Sequence, residues 1–120
     1  MEGQYIESEK EYGQGVFTTF KSGDTSGTCV EMVGVAMSVA GQGRYAKALR
    51  LNAAATRIAK TNGFSVPEEF EVIFWKELVQ QHIVGTREKL GKVLTMKYEE
   101  KGRTFSIEKA VEYALDFETD

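Results

Sequence analysis

Glycine and proline decide where this chain can be helical and where it must turn. The sequence holds one proline, Pro67, and twelve glycines. The glycines gather at Gly23, Gly41/Gly43, Gly63, Gly85/Gly91 and Gly102, leaving intervals of helical length between them. A first helix is expected over Tyr5 to Lys21, although Gly13 and Gly15 each weaken it by about 1 kcal/mol relative to alanine. Asp24 suits the N-cap of a second helix reaching Ala40. Arg44 to Thr61 forms a third, closed by Asn62-Gly63 in a left-handed cap. Ser65 and Glu68 have capping-box spacing, and Pro67 falls in the first turn, where its missing donor costs nothing. That fourth helix should run from Pro67 to about Val84. A shorter one follows from Thr86 or Lys92 to Lys101, and Ser106 caps the last, to about Phe117.

Apolar periodicity supports these elements. Ile107, Ala110, Val111, Ala114 and Leu115 make one stripe at helical spacing, beside an acidic row of Glu108, Glu112 and Asp116. On the third helix, Tyr45, Ala48, Leu49, Leu51, Ala55, Ile58 and Ala59 share one side, and Lys47, Arg50, Arg57 and Lys60 share the other. Such a basic face reads first as a solvated one and second as a nucleic-acid contact. The whole chain carries a net charge of −3, so no bulk attraction to nucleic acid or anionic lipid is expected.

The 120 residues suit a single helical domain, and a chain of this length buries roughly two thirds of its unfolded surface without metals or disulfides. With 42% hydrophobic and 28% charged residues the chain is neither disordered nor fibrous. One cysteine, Cys29, forms no internal disulfide, and one histidine, His82, adds too little for a Cys/His zinc site. The longest apolar runs fall far short of the ~20 residues a membrane span needs. Met1 to Lys10 is acidic and lacks the apolar core of a signal peptide. A cytoplasmic, reducing location is the expectation.

One stretch tempts an enzymatic reading. Glu31 to Ala40 is valine-rich and leads into Gly41-Gln42-Gly43-Arg44-Tyr45-Ala46, which satisfies the G-x-G-x-x-G/A dinucleotide pattern. The context fails, because no Asp or Glu lies between Glu31 and Glu68 to hold a ribose and no further strands are available. No cofactor is therefore expected.

The same residues make a helical hairpin. Met32, Val35, Ala36 and Val39 give an apolar stripe, and Gly43-x-Tyr45-x-x-Ala48-Leu49, followed by Ala55, opens the next helix. Residues 29–62 resemble a tetratricopeptide repeat in their 34-residue length and in the small residues at the helix crossing. Ala36 stands where a glycine is usual, Asn52 where the family has a large apolar residue, and no proline closes the repeat. Residues 5–23 look like part of a preceding repeat, with 65–118 as C-terminal capping helices. The string from Ala40 to Ala59, Val66-Pro67-Glu68, and Tyr98 to Leu115 is similar to the C-terminal end of large bacterial signalling ATPases and LuxR-type transcriptional regulators. Gly102, Arg103, Ser106, Glu108, Ala110, Val111, Ala114 and Leu115 match the ending G-R-x-x-S-x-E-E-A-V-x-x-A-L, with Lys109 in place of the second glutamate. In that family the ATPase, cyclase or DNA-binding activity lies in other domains, and this chain has no Walker A sequence. The resemblance implies a helical sensor or interaction segment.

Isolated residues point the same way. His82 reads as a partly buried structural histidine and Cys29 as a small packed residue with no basic neighbour. Glu68, Glu69 and Glu71 favour a helix N-terminus without any catalytic role. Trp75 and the nearby Phe70 and Phe74 read as core. The expectation is an all-α fold of five or six helices, a tetratricopeptide-like antiparallel hairpin with C-terminal helices packed across it. It is read as a non-enzymatic protein-interaction module without catalytic, cofactor or metal residues. Val30, Val33 and Met37, with Val72, Trp75 and Val79, are the expected surface for a protein or peptide partner, or for a homodimer. The alternative is nucleic-acid binding by Lys47, Arg50, Arg57 and Lys60.

Overall fold

The computed structural model describes residues 2–63, 77–118 and 120. Among these residues the chain is helical, with no strand. Among the described residues lie α1 (Glu2–Lys21), α2 (Thr25–Gly41), α3 (Tyr45–Thr61), α4 (Gly85–Arg103) and α5 (Ile107–Ala114). A π-helical turn, Gln80–Val84, leads into α4. The valine-rich stretch from Glu31 to Ala40 lies inside α2, and the G-x-G-x-x-A string spans the end of α2, the turn and the start of α3. The capping pair Ser65/Glu68, the acidic group Glu68, Glu69 and Glu71, and Phe70, Val72, Phe74 and Trp75 lie outside the described residues.

The first three helices end alike. Gly23, Gly43 and Gly63 have φ of 79°, 82° and 85°, the left-handed conformation that reverses a chain after its last helical turn. Asp24 then starts α2, its Oδ1 accepting from the Gly27 amide at 2.8 Å. Ser106 starts α5 in the same way, its Oγ accepting from the Lys109 amide at 3.1 Å. α5 stops at Ala114, three residues before the expected Phe117.

Short connections make α1, α2 and α3 antiparallel neighbours, and the α1–α2 contact has a seven-residue register. The Tyr5 ring covers Gly41, the Tyr12 ring covers Gly34, and Thr19 meets Gly27. A Cβ on Gly34 or Gly41 would stand 2.5 Å from Cγ of the facing tyrosine. Seven residues make two helical turns, so large side chains on one helix fall on glycines of the other at every second turn. Glu31 rests over Gly15 in the same register. Glycine thus does two jobs here, turning the chain at its bends and admitting rings between helices.

α2 and α3 form the interior. From Thr28 to Ala40 every residue of α2 except Glu31 is buried, and so are ten residues of α3. Ala48 and Ala55, expected at the close crossing, are fully buried. α3 also packs on α4, where Gly102 lies against the Arg50 backbone so closely that a Cβ would sit 2.8 Å from the Arg50 Cα. The expected stripe on α5 completes the core, with Ala110, Val111 and Ala114 buried and Ile107 and Leu115 half-buried beside them.

α4 is broken at Gly91, whose φ of 82° and ψ of 171° interrupt the helix. A straight helix would separate residues eight apart by about 12 Å. Instead Thr95 Oγ1 donates to the Arg87 carbonyl at 3.3 Å, and Arg87 Nε reaches Glu99 at 2.7 Å. The chain therefore folds sharply at Gly91. The single helix expected to start at Thr86 or Lys92 and end at Lys101 is this element, which runs from Gly85 to Arg103 with the break inside it.

Candidate functional site

The basic residues of α3 are not a solvated stripe. Lys47 is fully buried and its Nζ donates to the main-chain carbonyl of Asp116. Arg50 donates from Nη1 to the Tyr113 hydroxyl at 3.2 Å and lies over the Tyr98 ring, 5.0 Å from its centroid. Arg57 donates to the Phe105 carbonyl. Only Lys60, at the end of the helix, is exposed. Three of the four cations are turned inward because α4 and α5 pack across that side of α3. Their long stems lie along apolar neighbours while their heads meet carbonyl and hydroxyl oxygens.

Lys47 belongs to a buried polar cluster that sequence spacing did not signal. Glu9 on α1 is 2% exposed, and its Oε1 accepts from Gln42 Nε2 at 3.0 Å and from Arg44 Nη1 at 2.8 Å. Its Oε2 stands 3.9 Å from Lys47 Nζ. Burial, together with the nearby Arg44 charge, lowers the Lys47 pKa to about 8, against the opposing pull of Glu9, Asp116 and Asp120. Such a value suits a reactive amine, yet Lys47 is sealed from solvent and lines none of the clefts described below. The cluster ties α1, the α2–α3 turn, α3 and the end of α5 together.

Val30, Val33 and Met37, expected on an open groove, lie in the core with exposures of 8%, 3% and 5%. The physical reason is α1, which lies along α2 with its tyrosines seated on the glycines. Val79 is half-buried against the same core, while Val72 and Trp75 lie outside the described residues. His82 is held rather than free. Its Nδ1 meets the Leu78 carbonyl at 3.0 Å, which requires the proton on that nitrogen, so in the neutral ring Nε2 accepts from the Tyr5 hydroxyl at 3.2 Å. Cys29 is fully buried.

Large apolar side chains are exposed singly at Ile6, Phe17 and Phe117 and together on α4. Val93, Leu94 and Met96, just beyond the break at Gly91, are 80%, 39% and 50% exposed. Two of the clefts that flank α4 gather charge. One, of about 550 Å³, lies between α3, α4 and α5, where Arg50, Lys101 and Lys109 are balanced by Glu112, Asp116 and Asp120. The other, of about 320 Å³, lies between α3 and α4 and gathers Arg57, Lys60, Arg87 and Arg103 around Glu99, with Asn52 and Thr56 in its wall. Arg87 and Glu99 carried no shared sequence signal, because only the fold at Gly91 brings them together, and Arg103 entered only through the matched C-terminal ending. Among the described residues, no group of three or more His, Cys, Asp or Glu side chains is placed to hold a metal ion, and no helix is long and apolar enough to cross a membrane.

Comparison with protein-family models, with curated proteins and with solved structures gave no match.

Proposed function

We propose that this chain is a non-enzymatic protein-interaction module, the C-terminal helical segment or a relic of a multidomain signalling or transcription regulator. The observation that carries the reading is the apolar strip of Val93, Leu94 and Met96, exposed side by side on one limb of α4. Large apolar side chains grouped on an exposed limb favour contact with another protein surface. The antiparallel α2–α3 pair, with Ala48 and Ala55 buried in it, supports the tetratricopeptide-like part of the proposal. A cytoplasmic setting fits the single buried thiol. The nucleic-acid alternative is weakened, since three of the four cations proposed for it are engaged with the protein's own C-terminal helices.

Self-association through the strip is the form that can be tested with the chain alone. Light scattering over a tenfold concentration range should give a mass that climbs above 13.4 kDa, and Val93→Lys with Met96→Lys should restore the monomer. A strict 13.4 kDa monomer throughout would reject the homodimer.

A further inference from the structure

The cleft between α3 and α4 concentrates charge against the trend of the whole molecule. Four cations, Arg57, Lys60, Arg87 and Arg103, line it with one carboxylate, Glu99, a local excess of three positive charges in a chain of net charge −3. Glu99 accepts from Arg87 at 2.7 Å and stands 3.9 Å from Arg103. It therefore offsets one charge and leaves the others. Arg57 uses one terminal nitrogen on the Phe105 carbonyl, while its Nε is buried with no hydrogen-bond partner. Arg57 nevertheless lines the cleft, so its charge adds to the local excess. Lys60 is exposed at the rim, and Asn52 adds an amide to the wall.

We propose that this cleft binds a compact phosphate dianion, a phosphomonoester. An excess of three charges suits a dianion better than a single carboxylate, because a monoanion would leave most of the repulsion among the cations in place. Guanidinium groups match the oxygen edges of a phosphate with paired N–H donors, and a lysine adds a point charge. The size also selects. A cleft of about 320 Å³ is at the small end for a ligand site and takes one phosphorylated group. A nucleic-acid duplex needs a longer run of cations, and Lys47 and Arg50, which would extend the run along α3, are turned inward. The proposal is independent of the apolar strip and of self-association.

Calorimetric and amide-NMR titrations of the full chain with inorganic phosphate, glycerol 3-phosphate and a capped phosphoserine peptide test it. Saturable binding is expected, with shifts centred on Thr56 to Lys60, Arg87 and Arg103. It should weaken as the pH falls below about 6, where a phosphomonoester takes up its second proton. Tighter binding of the peptide would identify the source as a modified protein, and tighter binding of glycerol 3-phosphate a free metabolite. Both outcomes support the site. Lys60→Glu and Arg103→Glu should each weaken binding about tenfold or more, because a charge-assisted contact becomes a repulsion. Lys10→Glu, at an exposed position of α1, changes net charge equally and should leave binding unchanged. Absence of saturable binding, or equal weakening by Lys10→Glu, would overturn the proposal, as would binding to duplex DNA with no response to the small phosphates.

Discussion

Replacing Gly102 by alanine puts the α3–α4 packing to a direct test, because the added methyl meets backbone rather than a side chain that can swing away. A Cβ at this position would lie 2.7 Å from the carbonyl carbon of Arg50 and 2.8 Å from its Cα. Both belong to the middle of α3, itself locked between α2 and α4. Relief requires the two helices to separate, which strips contact from Tyr98 and Arg50 as well. Overpacking of this kind costs about 3 kcal/mol, the upper end of the usual range, since no rotamer change relieves it. Alanine returns at most about 1 kcal/mol through helix propensity. The net loss of about 2 kcal/mol should lower the melting temperature by about 6–12 °C in a domain of this size. Gly85→Ala is the control. Gly85 has helical φ of −58° and ψ of −39°, and its nearest foreign atom is the Gln80 carbonyl oxygen at 4.0 Å. There the same substitution should raise the melting temperature by a few degrees, worth about 0.5–1 kcal/mol. Thermal unfolding followed by far-UV circular dichroism reads both signs. An unchanged or raised melting temperature for Gly102→Ala would show that α3 and α4 do not meet at this point.

Glu9→Ala removes the buried carboxylate that meets Gln42, Arg44 and Lys47 in the α1–α3 cluster, leaving Arg44 the exposed Asp120 at 3.5 Å, and should destabilise the fold by about 3–5 kcal/mol in urea titration. A loss under 1 kcal/mol would indicate a solvated pair. Ala48→Leu and Ala55→Leu, both at fully buried positions, should each cost about 1–3 kcal/mol, whereas unchanged melting of both would place that face outside. The Lys47 pKa of about 8 lies below its ordinary 10.5, so between those values the unfolded chain holds a proton that the native state has released. Stability should therefore climb from about pH 8 to 10, by at most about 3 kcal/mol, and Lys47→Met should flatten the climb. Tyr12 and Tyr113 are raised above 10.0 by burial, so their share of stability is lost at still higher pH. A stability that falls between pH 8 and 9.5 would show that the native state favours the charged Lys47 and would contradict the lowered pKa.

The fold was legible where single residues dictate backbone geometry. Gly23, Gly43 and Gly63 mark the helix ends because left-handed φ excludes most side chains, and Asp24 and Ser106 mark helix starts because their oxygens cap free amides. Tyr5, Tyr12 and Thr19 facing Gly41, Gly34 and Gly27 were equally present in the sequence, but a seven-residue spacing in two separate helices acquires meaning only once they are paired. Glycines that weaken a helix in isolation are here the seats of aromatic rings. The partner surface was misplaced for the same reason. Val30, Val33 and Met37 face outward in an isolated hairpin, and α1 converts that face into core.

The candidate site was the least legible because charge was read as solvation. Lys47, Arg50 and Arg57 on α3 meet the Asp116 carbonyl, the Tyr113 hydroxyl and the Phe105 carbonyl in reverse chain order, an antiparallel match along α5. Two of these acceptors bracket the helix, one just before its Ser106 cap and one just after its last turn. A helix of only eight residues has little propensity to form alone, and the Lys47 cation at its C-terminal end suits the helix dipole. Periodicity locates a row of cations but not their acceptors, since main-chain carbonyls belong to every residue and leave no mark in a sequence. The same limit applies to the phosphate cleft. Arg57 and Lys60 lie on a face the sequence displays, whereas Arg87 joins them across a bend at Gly91 whose direction depends on φ and ψ, not on the spacing of the charges.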